Sequence, residues 1–132
     1  MSKKVIRTPK APAPVGPYNQ AIATSGQMLF VAGQIPLEPQ SGNIVGGGDI
    51  SAQTKQVMSN LEAILTEAGA NWSNVVKTSV FLSDLANFGA MNQVYSEYFE
   101  EDTAPARACV EVSRLPKDVL VEIECIAVID EQ

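Results

Sequence analysis

The chain has 132 residues, of which 45% are hydrophobic and 18% are charged, and its formal net charge is −6. This composition indicates a globular domain and excludes an intrinsically disordered chain, and the acidic balance makes nucleic acid a poor partner. There is no histidine, which excludes Ser-His-Asp and Cys-His nucleophilic sites and histidine-ligated metal sites.

The first part of the chain predicts an extended segment and two strands. Residues 1–17 are rich in proline and lysine, so we expect an extended, solvated N-terminal arm. Its basic residues are Lys3, Lys4, Arg7 and Lys10. The strand-like stretches Tyr18–Thr24 and Met28–Ile35, joined at Ser25-Gly26, predict a hairpin. Residues 36–48 predict a loop.

The rest of the chain alternates between helical and strand patterns. A helix is predicted from Asp49 or Ser51 to about Ala68, and a second from Ser83 or Asp84 to about Phe99. The remaining predicted strands are at 75–82, 106–112 and 119–129. The fold class is therefore α+β, with the order β-β-α-β-α-β-β in a single domain, 1–132. Two helices can cover one face of one sheet.

The uncovered face of the sheet predicts self-association. Val119–Ile129 is apolar on both of its faces, and Met28–Ala32 is apolar throughout. An exposed apolar sheet face requires burial, and we expect a homo-oligomer to provide it.

The last two strands carry the residues best suited to chemistry. A hairpin between them would place Cys109 opposite Glu122 and Arg107 opposite Glu124, on one shared face. This group is either a solvated cross-strand ion pair or a carboxylate receptor. The small, apolar neighbours of Arg107 favour the receptor, because a partly desolvated guanidinium binds a carboxylate through two donors.

Three further side chains have structural interpretations that are alternatives to a role in ligand binding. Asn92 lies on the apolar stripe of the second helix, where its amide binds either a backbone group or a ligand. Tyr18 begins a strand and is typical of half-buried packing. Cys109 is typical of a small buried hydrophobe. Strand alternation predicts that Cys125 faces away from Cys109, so we expect no disulfide and a reduced, cytoplasmic protein.

Several separate motifs, in order, resemble those of the Rid/YjgF family, specifically its RidA branch. The resemblance covers about Pro12 to Val128. It is carried by the stretches Ala13-Pro14-Val15-Gly16-Pro17-Tyr18, Val31-Ala32-Gly33-Gln34-Ile35-Pro36, Val76-Lys77-Thr78, Pro105-Ala106-Arg107-Ala108-Cys109-Val110-Glu111-Val112, Leu115-Pro116-Lys117-Asp118 and Val121-Glu122-Ile123-Glu124.

The resemblance implies a chorismate-mutase-like protomer in a barrel-like homotrimer with sites between subunits. It implies hydrolysis of 2-imino acids or their enamine tautomers, such as 2-aminoacrylate/2-iminopropanoate and 2-iminobutanoate, to 2-keto acids and ammonia. Such intermediates are released by PLP-dependent dehydratases. No cofactor and no metal are expected for this chemistry, because an iminium carbon is already electrophilic.

The resemblance also implies a role for each motif residue. Arg107 would hold the substrate carboxylate, and Glu122 would direct the attacking water. The residues that would line the pocket are Tyr18, Gly33, Asn92 and the Cys109 backbone. Ala32 stands where many relatives have a serine, which puts one hydroxyl contact in doubt.

Two other classes of function stay open from the sequence. A regulatory module could use the same Arg107 site to bind keto acids or other carboxylates. An RNA-acting translation inhibitor or ribonuclease is the other class, although the net charge of −6 disfavours it. Retention of both Arg107 and Glu122 favours the imine deaminase.

Overall fold

The computed structural model describes residues 2–129, which form six strands and two α-helices. The elements are β1 (Ser2–Ile6), β2 (Ala21–Ser25), β3 (Gln27–Gln34), α1 (Ile50–Glu67), β4 (Val75–Leu82), α2 (Phe88–Tyr95), β5 (Ala106–Glu111) and β6 (Val121–Ile129). None of the helices in this part of the chain is long and apolar enough to cross a membrane.

The main sheet has four strands in the order β3-β6-β4-β5. β6 runs antiparallel to both of its neighbours, whereas β4 and β5 are parallel. β1 and β2 form a separate antiparallel ribbon. The predicted α+β class is therefore confirmed, and the main sheet is mixed, although the predicted element order lacks β1.

Helix α1 begins and ends where the sequence predicts. The Asp49 carboxylate accepts a hydrogen bond from the Ala52 backbone N–H, which caps the first turn. The helix ends at Glu67, and Gly69 follows with a φ of +80°, a left-handed conformation that favours glycine.

The hydrophobic core lies between the two helices and one face of the main sheet. The α1 side chains Val57, Leu61 and Leu65 are fully buried there. They pack with residues of α2 and with alternate residues of the sheet: Met91, Tyr95, Val80, Leu82, Val121, Ile123 and Cys125. Both helices therefore cover the same face, as the sequence predicts.

The predicted hairpin of β2 and β3 is wrong. These strands follow each other through Gly26 but lie in different sheets, because β2 pairs with β1 and β3 pairs with β6. The N-terminal arm is also not wholly solvated. The Lys3 ammonium donates hydrogen bonds to the carbonyls of Ser73, Val75 and Thr103.

The predicted hairpin of β5 and β6 is also wrong, because β4 lies between them. Arg107 is the register partner of Thr78, whereas Glu122 is the partner of Phe81. Thr78 and Phe81 are three residues apart on one strand, so they project from opposite faces. Arg107 therefore faces the helices and Glu122 faces the open side of the sheet.

The same topology changes the interpretation of the cysteines. Cys109 pairs with Val80 and Cys125 pairs with Thr78, so both thiols face the helices rather than opposite sides. The thiols are free, as predicted. The reason is the intervening strand β4, since strands two apart are separated by about 9–10 Å and a disulfide requires Cα atoms within about 7 Å.

The open face of the sheet carries exposed apolar side chains. Met28 and Phe30 on β3 are 56% and 69% exposed, and Val110 on β5 is 47% exposed. Phe30 lies beside Ile126 in the register of β3 and β6. Large aromatic and aliphatic side chains grouped on one face are typical of a surface that is covered by another protein chain.

Candidate functional site

Arg107 is anchored by an amide from the helix layer. Its Nη1 atom donates a hydrogen bond of 2.6 Å to Oδ1 of Asn92 on α2. The place of Asn92 on the apolar stripe predicts that its amide has a hydrogen-bond partner. That partner is the Arg107 guanidinium and not a backbone group. The predicted site residues Arg107 and Asn92 are brought together.

Three aromatic rings surround the guanidinium. The Arg107 Cζ atom lies 4.9 Å from the centre of the Tyr95 ring, 5.2 Å from that of Tyr18 and 5.5 Å from that of Phe88. Each ring is within the range of a cation–π contact, and such contacts are stronger where water is excluded. The rings restrict the positions that the guanidinium can adopt.

One stripe of α2 supplies most of these contacts. Phe88, Asn92 and Tyr95 follow the i, i+4, i+7 spacing of one helical face, which points at β5. Tyr18 approaches from the N-terminal segment, which is fixed because the Asn19 backbone N–H donates to the Pro105 carbonyl just before β5. The site thus joins a helix, a strand and a loop.

Gly16 permits the loop to lie close to Arg107. A Cβ atom at residue 16 would lie 2.9 Å from Arg107 Nη2 and 3.5 Å from Asn92 Nδ2. Any side chain at this position would have to displace the end of the arginine. Glycine therefore allows this close approach, and its backbone angles are not the reason for it.

The charge of Arg107 is partly desolvated. Burial lowers the pKa of the guanidinium from its ordinary value, although nearby Tyr95, Cys109 and Tyr18 act in the opposite direction. Within residues 2–129, no carboxylate lies at salt-bridge distance from Arg107. The solvated ion pair considered from the sequence is therefore absent there, and the arrangement favours an anionic ligand.

Cys109 lies two residues after Arg107 on the same face of β5. Burial raises the pKa of its thiol above the ordinary value, although the Arg107 charge lowers it. A thiol that stays protonated is a poor nucleophile. The Cys109 thiol is therefore poorly suited to covalent catalysis, and the pocket-lining role of the Cys109 backbone stays a prediction.

Glu122 lies apart from this cluster, on the open face, against Gly33. A Cβ atom at residue 33 would collide with Glu122 Oε2 and would lie 2.9 Å from its Cδ. Gly33 also borders a cavity of about 390 Å³ between the loop after β3 and α1. The predicted residues thus form two groups: Arg107, Tyr18, Asn92 and Cys109 on one face, and Glu122 with Gly33 on the other.

Within residues 2–129, no three histidine, cysteine, aspartate or glutamate residues are placed to hold a metal ion. The contacts of Gly16, Phe88 and Tyr95 with Arg107 were missed from the sequence. Phe88 and Tyr95 share a helical stripe with Asn92. That spacing could have identified their contacts with Arg107, since residues on one stripe share their neighbours.

Residues 8–129 match the protein family described as Endoribonuclease L-PSP. The chain is 62% identical over 129 residues to the RutC family protein slr0709 of Synechocystis sp., covering 98% of each chain. The chain belongs to this family, also known as the Rid/YjgF family. The resemblance stated from the sequence is thereby confirmed.

Other members of the Rid/YjgF family are similar over almost their whole length. The 2-iminobutanoate/2-iminopropanoate deaminase of Salmonella typhimurium is 47% identical over 127 residues, which cover 95% of this chain and 97% of that protein. The crystal structure of E. coli TdcF with bound serine superposes with a TM-score of 0.73 and 43% identity, covering 96% of this chain and 99% of TdcF.

Proposed function

We propose that this Rid/YjgF protein hydrolyses 2-imino acids, or their enamine tautomers, to 2-keto acids and ammonia. The observation that carries the proposal is the state of Arg107. Its guanidinium is partly buried, held by Asn92 and three aromatic rings, and free of any ionic partner in the described part of the chain. A small carboxylate would satisfy its remaining donors.

The proposed reaction needs only positioning, water and a carboxylate. Arg107 holds the substrate carboxylate, which fixes the adjacent C=N carbon. Water adds to that carbon while Glu122 accepts a proton from the water. The proton then passes from Glu122 to the nitrogen, and the C–N bond of the resulting carbinolamine breaks. The C=N bond is replaced by C=O, and the nitrogen leaves as ammonia, with the protons supplied by the water.

The opposite orientations of Arg107 and Glu122 support a site shared between two copies of the chain. Arg107 lies on the edge strand β5, and Glu122 lies on β6 beside the other edge strand, β3. Head-to-tail association that brings β5 of one copy towards β3 of the next closes into a ring when the rotation between copies is a whole fraction of a turn. We propose a homotrimer in which Arg107 of one copy faces Glu122 of its neighbour.

The apolar open face supports the same assembly. Exposed Met28, Phe30 and Val110 lie on this face and would be buried at the centre of a ring. Burial of each large apolar side chain contributes about 1.5–3 kcal/mol. The assembly would therefore be stabilised by the same face that carries Glu122.

The relatives support the substrate class. One relative that covers nearly the whole chain is named a 2-iminobutanoate/2-iminopropanoate deaminase. TdcF binds serine, a small amino acid with a carboxylate beside a nitrogen-bearing carbon. A 2-imino acid has the same arrangement of carboxylate and nitrogen.

A coupled assay tests the proposal. A PLP-dependent dehydratase generates 2-aminoacrylate or 2-iminobutanoate in the presence of semicarbazide, which captures the imine. We expect the protein to accelerate release of the keto acid and to reduce capture by semicarbazide. No acceleration at protein concentrations equal to those of the dehydratase would contradict the proposal and favour a carboxylate-binding regulatory module.

The description of the matched family as an endoribonuclease gives a second candidate, RNA cleavage. The net charge of −6 opposes it, because phosphate contacts require lysine and arginine. Incubation of the purified protein with labelled RNA tests this candidate. Cleavage that copurifies with the protein and is lost in Arg107→Ala would support it.

A further inference from the structure

Beneath Arg107, two hydroxyl groups form a buried hydrogen bond. Thr78 Oγ1 and Tyr95 Oη lie 2.7 Å apart. Thr78 is 1% exposed and Tyr95 is fully buried. The bond joins strand β4 to helix α2 through the core.

Both members of this pair are neighbours of Arg107. Thr78 is its register partner across the parallel β4–β5 ladder. The Tyr95 ring is the nearest of the three aromatic rings to the Arg107 Cζ atom, at 4.9 Å. The hydroxyl bond fixes the direction of the ring, and the ring in turn supports the guanidinium.

The Tyr95 hydroxyl has no route to a substrate. It is fully buried beside Thr78, and burial raises its pKa to about 12. It therefore stays protonated at neutral pH and does not act as a base. Any effect on substrate must pass through the position of Arg107.

We propose that the Thr78–Tyr95 hydroxyl pair is a positioning device that holds the Arg107 guanidinium in the orientation that receives the substrate carboxylate. This inference rests on the proposed function and adds two residues to it. The hydroxyl bond fixes the direction of the ring, the ring and Asn92 fix the guanidinium, and the guanidinium binds the substrate carboxylate.

Three variants separate positioning from simple stability. Thr78→Val and Tyr95→Phe each remove one hydroxyl and leave the other buried without its partner, so both should lower the melting temperature. The double variant removes both hydroxyls and keeps both shapes, so it should recover much of that stability. A purely structural role predicts that substrate binding recovers together with stability.

The positioning role predicts a different result for the double variant. We expect KM for the imine and Kd for pyruvate or 2-oxobutanoate to stay about three- to tenfold above the parent, with kcat nearly unchanged. Leu65→Ala, in the core at α1, is the control. It should lower the melting temperature and leave KM and Kd as in the parent.

A spectroscopic measurement separates failure of this inference from failure of the proposed function. The order parameter of the Arg107 Nε–H bond, assigned by its absence in Arg107→Lys, reports how firmly the guanidinium is held. It should fall in the double variant, whether or not the parent hydrolyses imines. A parent without deaminase activity would overturn the proposed function alone. An order parameter that is unchanged in the double variant would overturn the positioning role. If the parent binds keto acids, an equal Kd in the double variant would also overturn it.

Discussion

Arg107 and Glu122 project from opposite faces of one sheet. Their register partners on β4 are Thr78 and Phe81, and three residues along a strand reverse the direction of the side chain. The two residues best suited to bind and hydrolyse an imino acid are thus separated by the sheet of the protomer. The proposed site therefore requires a second copy of the chain.

Gly33→Ala should impair turnover without preventing binding. The added Cβ would occupy the position of the Glu122 carboxylate, which must then move from the point where it directs water. We expect kcat to fall about ten- to a hundredfold, because misplacement of a catalytic group by about 1 Å has effects of this size. Gly47→Ala is the control, since a Cβ there meets nothing within 4 Å.

Arg107→Lys and Glu122→Gln should impair different steps. Lysine keeps the charge but not the paired donors, so we expect Kd for pyruvate to rise at least about tenfold, which is a loss of about 1.4 kcal/mol. Glutamine cannot accept the proton, so we expect lost turnover with nearly unchanged pyruvate binding. Calorimetric titration and the coupled assay measure the two effects. A purely structural role would instead lower the melting temperature of both variants and spare catalysis in the folded fraction.

Stability should fall in strongly alkaline solution. Burial raises the pKa of Tyr95 from 10.0 to about 12, against the opposing effects of Thr78 and Arg107. Between these values the unfolded chain loses the proton and the folded chain keeps it. The contribution of Tyr95 to the free energy of unfolding is therefore fully present below pH 10. About 2–3 kcal/mol of that free energy is lost as the pH rises to about 12.

Denaturant unfolding between pH 9 and 12 measures this dependence. Tyr95→Phe should show a shallower loss of stability over that range. Some dependence should remain, because burial also raises the pKa of Cys125 to about 11. An identical slope in the parent and Tyr95→Phe would exclude Tyr95 as its source.

Phe30→Asp should break the assembly. Phe30 is 69% exposed on the open face, so the protomer should tolerate the carboxylate, whereas a buried interface should not. Light scattering should show a trimer for the parent and a monomer for the variant. Leu85→Asp, at an apolar residue that is 45% exposed in the turn before α2, should remain a trimer. A parent that is monomeric at every concentration would contradict the proposed assembly.

Most elements and much of the burial were predictable from the sequence because they depend on local periodicity and capping. Strand β1 was missed, and α2 covers only Phe88–Tyr95 of the helix predicted to reach about Phe99. Asp49 and Gly69 delimited α1, and the β-branched run Val75–Leu82 gave β4 with the correct bounds. The position of Asn92 on an apolar helical stripe correctly indicated that its amide had a specific partner. These signals are local, so one sequence is sufficient to read them.

Strand pairing was not predictable by the same reasoning. Adjacent strands in the chain were assumed to be hairpins, yet β2 and β3 lie in different sheets and β4 separates β5 from β6. Pairing depends on how β4, α2 and β5 form a parallel crossover that buries α2, which is a property of the whole core. The error placed Arg107 and Glu122 on one face, and it concealed the need for a second copy.

Assemblies of two inactive variants show whether Arg107 and Glu122 act across two copies of the chain. Arg107→Ala and Glu122→Gln chains, coexpressed with different tags and purified through both, give trimers that contain both kinds of subunit. If Arg107 of one copy works with Glu122 of its neighbour, each mixed trimer has one intact site in three, and about one third of the parent activity should return. If both residues act within one copy, no site is intact. Mixed trimers as inactive as the two variants alone would contradict a site shared between two copies.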